Sequence, residues 1–191
     1  MSEADNALRK HLQEIIQAPK TFSMIPSWDE DQEKYRFSIG LEREGVTLAG
    51  ITLFGRATKA RPDQDITIGL RCRTDIGRQR NFDRGDWRPI SGHNNRNQGP
   101  KDLRLIEIRG THRHPLEENA DLECGLQVAL RENLPIALPM PEEADSWESF
   151  TQLLGEAWNL PELANLPMPP MNASLWPPTG GEGSTSRKKR R

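Results

Sequence analysis

Apolar residues recur at three- and four-residue spacing near the start of the chain, at Ala4, Leu8, Leu12, Ile15 and Ile16. That is the stripe of an amphipathic helix, and it predicts one from about Glu3 to Ala18, with Ser2-x-x-Asp5 as its capping signal and Pro19 ending it. The period then changes to two. Tyr35, Phe37, Ile39 and Leu41 alternate with Arg36, Ser38 and Gly40, as in a half-buried strand. Val46 to Phe54, after the turn at Arg43-Glu44-Gly45, reads as a second strand, and Ile66, Ile68, Leu70 and Cys72 mark a third. Leu103 to Arg109 is a fourth, and the alternation of Leu122, Cys124, Leu126, Val128 and Leu130 predicts a fifth. Helical spacing returns at Trp147, Phe150, Leu153, Leu154, Ala157 and Trp158, behind an Asp145-x-x-Glu148 cap and ahead of Pro161. Strands that follow one another without intervening helices pair antiparallel. The pattern therefore predicts an α+β fold, an antiparallel sheet of about five strands flanked by an N-terminal and a C-terminal helix, with both helices on one face.

Composition sets the limits of that body. Past Leu166 come Pro167, Pro169, Pro170, Pro177 and Pro178, then Gly180, Gly181, Gly183 and Ser184. Residues 1–166 are thus expected to form a single α+β domain, and residues 167–191 a disordered linker and basic tail. A hydrophobic fraction of 34% over 191 residues agrees with part of the chain lying outside any core. No apolar run approaches the roughly 18–20 residues that span a bilayer, and the N-terminus has no signal-peptide core, so the expectation is a cytoplasmic, bacterial protein without a membrane partner. Cys72 and Cys124 are too few for a disulfide framework.

The formal net charge of -2 conceals a segregation. Arg71 to Arg113 carries net +6, His114 to Ser186 net -11, and Arg187 to Arg191 adds +5. Between Gly77 and Asp102 lie Arg78, Arg80, Arg84, Arg88, Arg96 and Lys101, interleaved with Phe82 and Trp87, and Arg113 follows. Guanidinium forks hold phosphates and aromatic rings stack on unpaired bases, so this stretch and the tail Arg187, Lys188, Lys189, Arg190 and Arg191 are candidates for contacting nucleic acid or an acidic protein. The plainer reading is a solvent-exposed connection whose arginines pair with the acidic C-terminal third.

His112-Arg113-His114 follows the fourth strand, and alternate residues of extended chain point to one side. His112 and His114 can then act as an acid/base pair on a phosphodiester, with Arg109 or Arg113 stabilising the developing charge. They can also ligate a metal with His93 or Cys72. An H-x-H pair without a third ligand at a recognised spacing does not specify a metal site, so neither metal nor cofactor is expected, and a surface turn with backbone-bonded histidines is the simplest alternative. Trp147, Phe150 and Trp158 belong to the apolar face of the last helix and are expected in the core.

The run Leu103-Arg104-Leu105-Ile106-Glu107-Ile108-Arg109-Gly110-Thr111-His112-Arg113-His114-Pro115 resembles an uncharacterised family of small bacterial proteins, whose signature is an L-R-L-D strand followed by G-x-x-H-x-N-P. In that family a second H-x-H strand and a closing helix come next. Leu122 to Leu130 and Trp147 to Leu154 stand in the corresponding order, but His114 replaces the Asn and Glu123-Cys124-Gly125-Leu126 replaces the second H-x-H. The resemblance implies an order of elements and no activity. Three functions remain open: a non-catalytic binding module for nucleic acid or an acidic protein, a small metal-independent phosphodiesterase or RNase using the His-x-His pair, and an accessory protein of a mobile-element or defence operon.

Overall fold

The computed structural model describes residues 3–74, 77–105 and 107–171. Helix α1 covers Glu3–Gln17 and buries Leu12, Ile15 and Ile16, as its stripe requires; Ser2 of the expected cap lies outside the described residues. Strands β1 (Thr21–Phe22), β2 (Asp29–Glu30), β3 (Lys34–Arg43), β4 (Val46–Thr58), β5 (Ile66–Arg73) and β6 (Gln79–Trp87) follow. Next come a small ribbon of β7 (His93–Asn94) with β8 (Glu107–Ile108), then β9 (His112–His114), α2 (Leu116–Ala120), α3 (Leu126–Arg131), β10 (Leu138–Pro139), α4 (Trp147–Ala157) and a 3-10 turn at Pro161–Asn165. The result is four helices and a large antiparallel sheet, an α+β fold.

The sheet has eight strands in the order β1-β3-β4-β5-β6-β9-β10, with β2 also paired to β3. Its pleat sorts residues by parity. One face carries Tyr35, Phe37, Ile39, Leu53, Ile66, Ile68 and Leu70 and packs against α1 and α4, where Trp147 and Phe150 meet Trp87. Gly85 lies under α4 because a Cβ there would come within 2.8 Å of Leu154. The other face carries Thr52, Phe54, Arg56, Thr67, Gly69, Arg71, Asn81, Arg84, Asp86, His112 and His114, cross-strand neighbours of one another in register.

Four expectations are corrected. The stretch Gln79–Trp87, read as a connection, is the fourth long strand; its core-facing positions hold Asp83 and Gly85, and a bulge at Leu70/Arg71 breaks the parity, so its alternation is hidden. Of the segment Leu103–Arg109, only Glu107–Ile108 is strand among the described residues. The expected fifth strand is instead two short turns of chain with Leu126–Arg131 helical: Leu126 and Leu130 are buried at helical spacing, one turn apart. Helix α4 is capped by Ser146, whose Oγ accepts from Ser149 N–H, rather than by Asp145. Beyond residue 166, Trp28 Nε1 donates to Pro167 O, and Met168 packs on the core. Among the described residues no helix is long and apolar enough to cross a membrane.

Candidate functional site

The functional face begins with the pleat of β9. His112 and His114 project to the open side and pair in register with Asp86 and Arg84 of β6, while Arg113 between them projects to the core. The ribbon of β7 and β8 brings His93 over the same edge. The three imidazole rings form a triangle, with centroids 4.7 Å (His93–His114), 5.0 Å (His112–His114) and 5.5 Å (His93–His112) apart. One nitrogen from each lies within 4.8 Å of the others. His112 and His114 are buried, so the sequence expectation of a surface turn is overturned.

Backbone carbonyls fix each ring. His93 Nε2 lies 2.8 Å from Pro135 O, His112 Nδ1 2.9 Å from Gly110 O, and His114 Nδ1 2.6 Å from Leu134 O. A carbonyl only accepts, so each of these nitrogens carries the hydrogen. His93 Nδ1, His112 Nε2 and His114 Nε2 are left as the lone-pair atoms of the neutral rings. Burial lowers the pKa of His112, and it pushes that of His114 down to about 4, so both are neutral at pH 7. Gly110, at a φ of +78°, makes the turn that aims its carbonyl back at His112.

The carbonyls that hold His93 and His114 are themselves pinned. The Asn119 side chain accepts from Ile136 N–H and donates to Ile136 O, both at 2.9 Å. Asn95 does the same for Ala137, at 2.9 and 3.1 Å. Both asparagines are fully buried. Two amides thus act as strand partners for residues 136 and 137 and fix the preceding Leu134 and Pro135 carbonyls. Neither asparagine stands out in the sequence; a buried Asn is recognisable only once the loop it ties is known.

Charge completes the site. Asp86 accepts from Thr67 Oγ1 at 2.7 Å and from Arg84 Nε at 3.1 Å. Its Oδ2 is 3.2 Å from His114 Nε2 and 3.6 Å from His112 Nε2. Although burial opposes it, the Arg84 charge and the hydrogen bond from Thr67 hold the Asp86 carboxyl below the usual carboxylate range. Arg84 Nη2 donates to the His114 Nε2 lone pair at 2.9 Å, so one guanidinium bridges two acceptors that would otherwise repel. Arg71 lies flat on Phe54, 3.4 Å from the ring centroid, and its Nε donates to Asn81. Gly69 makes room for this stack, since a Cβ there would come within 2.6 Å of Phe54. Burial and the neighbouring Arg56 charge both lower the Arg71 pKa. Among the described residues neither Arg56 nor Arg71 forms an ion pair.

These groups line a cleft of about 250 Å³ that includes Arg56, Arg71, Arg84, Asp86, His93 and His112. A second hollow of about 280 Å³ shares Arg71, Asn81 and Asn133 with it and adds Arg80 and Arg131. Together they form one groove with five arginines (56, 71, 80, 84 and 131) against Asp65 and Asp86.

No family model, curated protein or solved structure matches this chain.

The sequence candidates divide sharply. His112 and Arg84 line the cleft, His114 is fully buried behind them, and Arg80 is in the cleft's extension. Arg113 is not: its Nε and Nη2 grip Asp83 at 2.8 and 2.7 Å on the core side. Trp87 is 1% exposed and stacks with Trp147 and Phe150, so it offers no surface to a base. Arg109 pairs with Glu107 at the surface, outside the cleft. Arg88 binds Asp145 O, and Arg78, Arg96 and Lys101 are exposed on loops away from the cleft lining. Arg187 to Arg191 lie outside the described residues. Cys72 is buried in the core and does not join the histidines. The acidic third does not neutralise the site either; Arg84 and Arg113 pair with Asp86 and Asp83, both of β6. Sequence reasoning missed Arg56, Arg71 and Phe54 as site residues: Phe54 and Arg71 lie within expected strands, and Arg56 two residues past the expected end of the second, which runs on to Thr58.

Proposed function

We propose that this protein is a phosphodiesterase that cleaves nucleic acid laid in the groove on the open face of the sheet. The observation that carries the reading is the union of arginines that form no ion pair among the described residues with a histidine cluster, two of whose rings, His93 and His112, line the same cleft. Arg56 and Arg71 crowd like charges without a carboxylate partner among the described residues, the situation that a bound phosphate relieves. Arg80 and Arg131 continue the groove, which suits a polyanion better than a single phosphate.

In the reaction, water adds across the ester: its oxygen bonds to phosphorus, the bond from phosphorus to the leaving oxygen breaks, and the water proton ends on that leaving oxygen. The arginines offset charge that grows on the phosphoryl oxygens. His112, which lines the cleft, eases removal of the water proton, since burial keeps its ring a neutral electron-pair donor at pH 7.

The test is cleavage of end-labelled single-stranded RNA and DNA by the full chain, with His112→Ala/His114→Ala and Arg71→Ala as comparisons. Cleavage lost in the histidine variant, with binding retained, supports the proposal. Wild-type binding without cleavage assigns the groove to a non-catalytic nucleic-acid module instead, a reading the same arginines support. Neither binding nor cleavage overturns both.

A further inference from the structure

We infer that His93, His112 and His114 form a binding site for a divalent transition metal of the zinc class, with a further coordination position open to the arginine-lined cleft. This deepens the phosphodiesterase reading by naming what the histidines hold, yet it stands on ring geometry alone.

The first support is the tautomers. All three rings spend one N–H on a backbone carbonyl, Pro135, Gly110 or Leu134, which leaves each with one further nitrogen, and one nitrogen of each ring lies within 4.8 Å of those of the other two. A ligating histidine needs this arrangement, because the second nitrogen's hydrogen bond fixes both the lone pair and the ring plane. Three rings arranged alike around one point are not explained by packing.

The second is the mismatch of acceptors. His112 Nε2 and His114 Nε2 face the Asp86 carboxylate at 3.6 and 3.2 Å, and among the described residues Arg84 is the cation that meets them. Like dipoles and a carboxylate converge at a cost unless a cation joins them.

The third is fit. An ion about 2.0–2.1 Å from each nitrogen in tetrahedral geometry sets the nitrogens roughly 3.4 Å apart. The present limit of 4.8 Å then calls for a closure of at most about 1.4 Å, within reach of side-chain rotation. Neutral imidazoles select zinc, cobalt, nickel or copper over calcium or magnesium, which prefer oxygen. His112 and His114 at alternate positions of one strand, with His93 from a neighbouring ribbon, leave the cleft side of the ion uncovered. Arg84 is the resident competitor, since its Nη2 occupies the His114 lone pair.

The experiment uses the full chain stripped with a chelator, dialysed, and titrated with Co²⁺ alone, then with Zn²⁺ as displacer. The expected result is uptake of one ion per chain, with the visible absorption of low-coordinate Co²⁺, bleached by Zn²⁺. His93→Ala should weaken uptake by at least about 100-fold, more than altering a ligand's hydrogen-bond partner costs. His93 is the variant of choice because it is half-buried, whereas His112 and His114 are core-like and their loss risks the fold. His11→Ala, on the exposed side of α1, should bind as wild type does. Arg84→Met should bind about tenfold more tightly, because a charged competitor for His114 is gone. Thermal unfolding gives a second readout: Zn²⁺ should raise the wild-type midpoint and leave that of His93→Ala unmoved.

No stoichiometric uptake by wild type, equal uptake by His93→Ala, or weaker uptake by Arg84→Met overturns the inference. The two proposals fail separately. Uptake without cleavage of RNA or DNA keeps the metal site and removes the phosphodiesterase. Cleavage that persists after chelation, in a chain that takes up no Co²⁺, removes the metal site and leaves the histidines as proton carriers.

Discussion

Replacing Asp83 by Asn tests whether Arg113 belongs to the fold or to a nucleic-acid surface. Asp83 is fully buried and accepts four hydrogen bonds: two from Arg113, one from Leu116 N–H at 3.0 Å and one from Trp158 Nε1 at 2.9 Å. It therefore ties β6, β9, the start of α2 and the end of α4 into one node. Although burial opposes it, the Asp83 charge holds the Arg113 pKa above its usual value. Asparagine keeps the shape and one acceptor oxygen but removes the charge, so Arg113 is left without its counterion. Breaking a buried pair costs about 3–5 kcal/mol, and the Arg113 side chain keeps 22% exposure, which points to the lower end, about 3 kcal/mol. Urea denaturation at pH 7 measures this directly. In a thermal scan the same loss is a drop of roughly 6–12 °C, at about 2–4 °C per kcal/mol for a chain of this size. The double variant Asp83→Asn/Arg113→Met should lose at least about 1 kcal/mol less than the sum of the singles. A single-variant change below about 0.5 kcal/mol, the scale of an ordinary surface substitution, refutes the reasoning.

Lys20 offers a pH test. Its ammonium is buried, donates to Ile16 O and Trp158 O at the ends of α1 and α4, and has a pKa lowered by burial from 10.5 to about 8. The folded state therefore disfavours the proton that the unfolded chain keeps, and wild type should gain about 2–3 kcal/mol over Lys20→Met as pH rises from 8 to 10; parallel profiles in denaturant refute this. Asn119→Ala strips both partners from Ile136 and should cost about 2–4 kcal/mol by urea denaturation, at about 1–3 kcal/mol for each orphaned group; an unchanged midpoint would show that the loop holds without it. Arg71→Ala should weaken binding to single-stranded nucleic acid and lower the salt slope of log K by about 1, while Arg78→Ala leaves both unchanged; equal effects would remove the groove as the binding surface. Gly69→Ala should reduce the same affinity, because a Cβ there displaces the Phe54 ring that supports Arg71.

The sequence by itself determined the elements whose burial is written in simple periods. Helix α1, strand β3 and helix α4 each bury one apolar stripe, β4 and β5 are apolar runs of strand length, and the antiparallel α+β class follows from their order. It also marked His112 and His114 as partners on one face, because parity in extended chain is a local property. What it did not hold was anything decided by a neighbour. Strand β6 was hidden because its core positions are Asp83, satisfied by Arg113 and Trp158, and Gly85, empty to admit α4. The expected fifth strand became α3 because burial of Leu126 and Leu130 beside α1 and β6 outweighed an alternation that suited either structure. The charge blocks predicted pairing with the acidic C-terminal third, yet Arg84 and Arg113 found their carboxylates on β6, and Arg56 and Arg71 found none among the described residues. Only the tertiary fold could bring His93 from the β7 ribbon to the H-x-H pair on β9, since a cluster built from separate elements has no spacing in the chain to announce it.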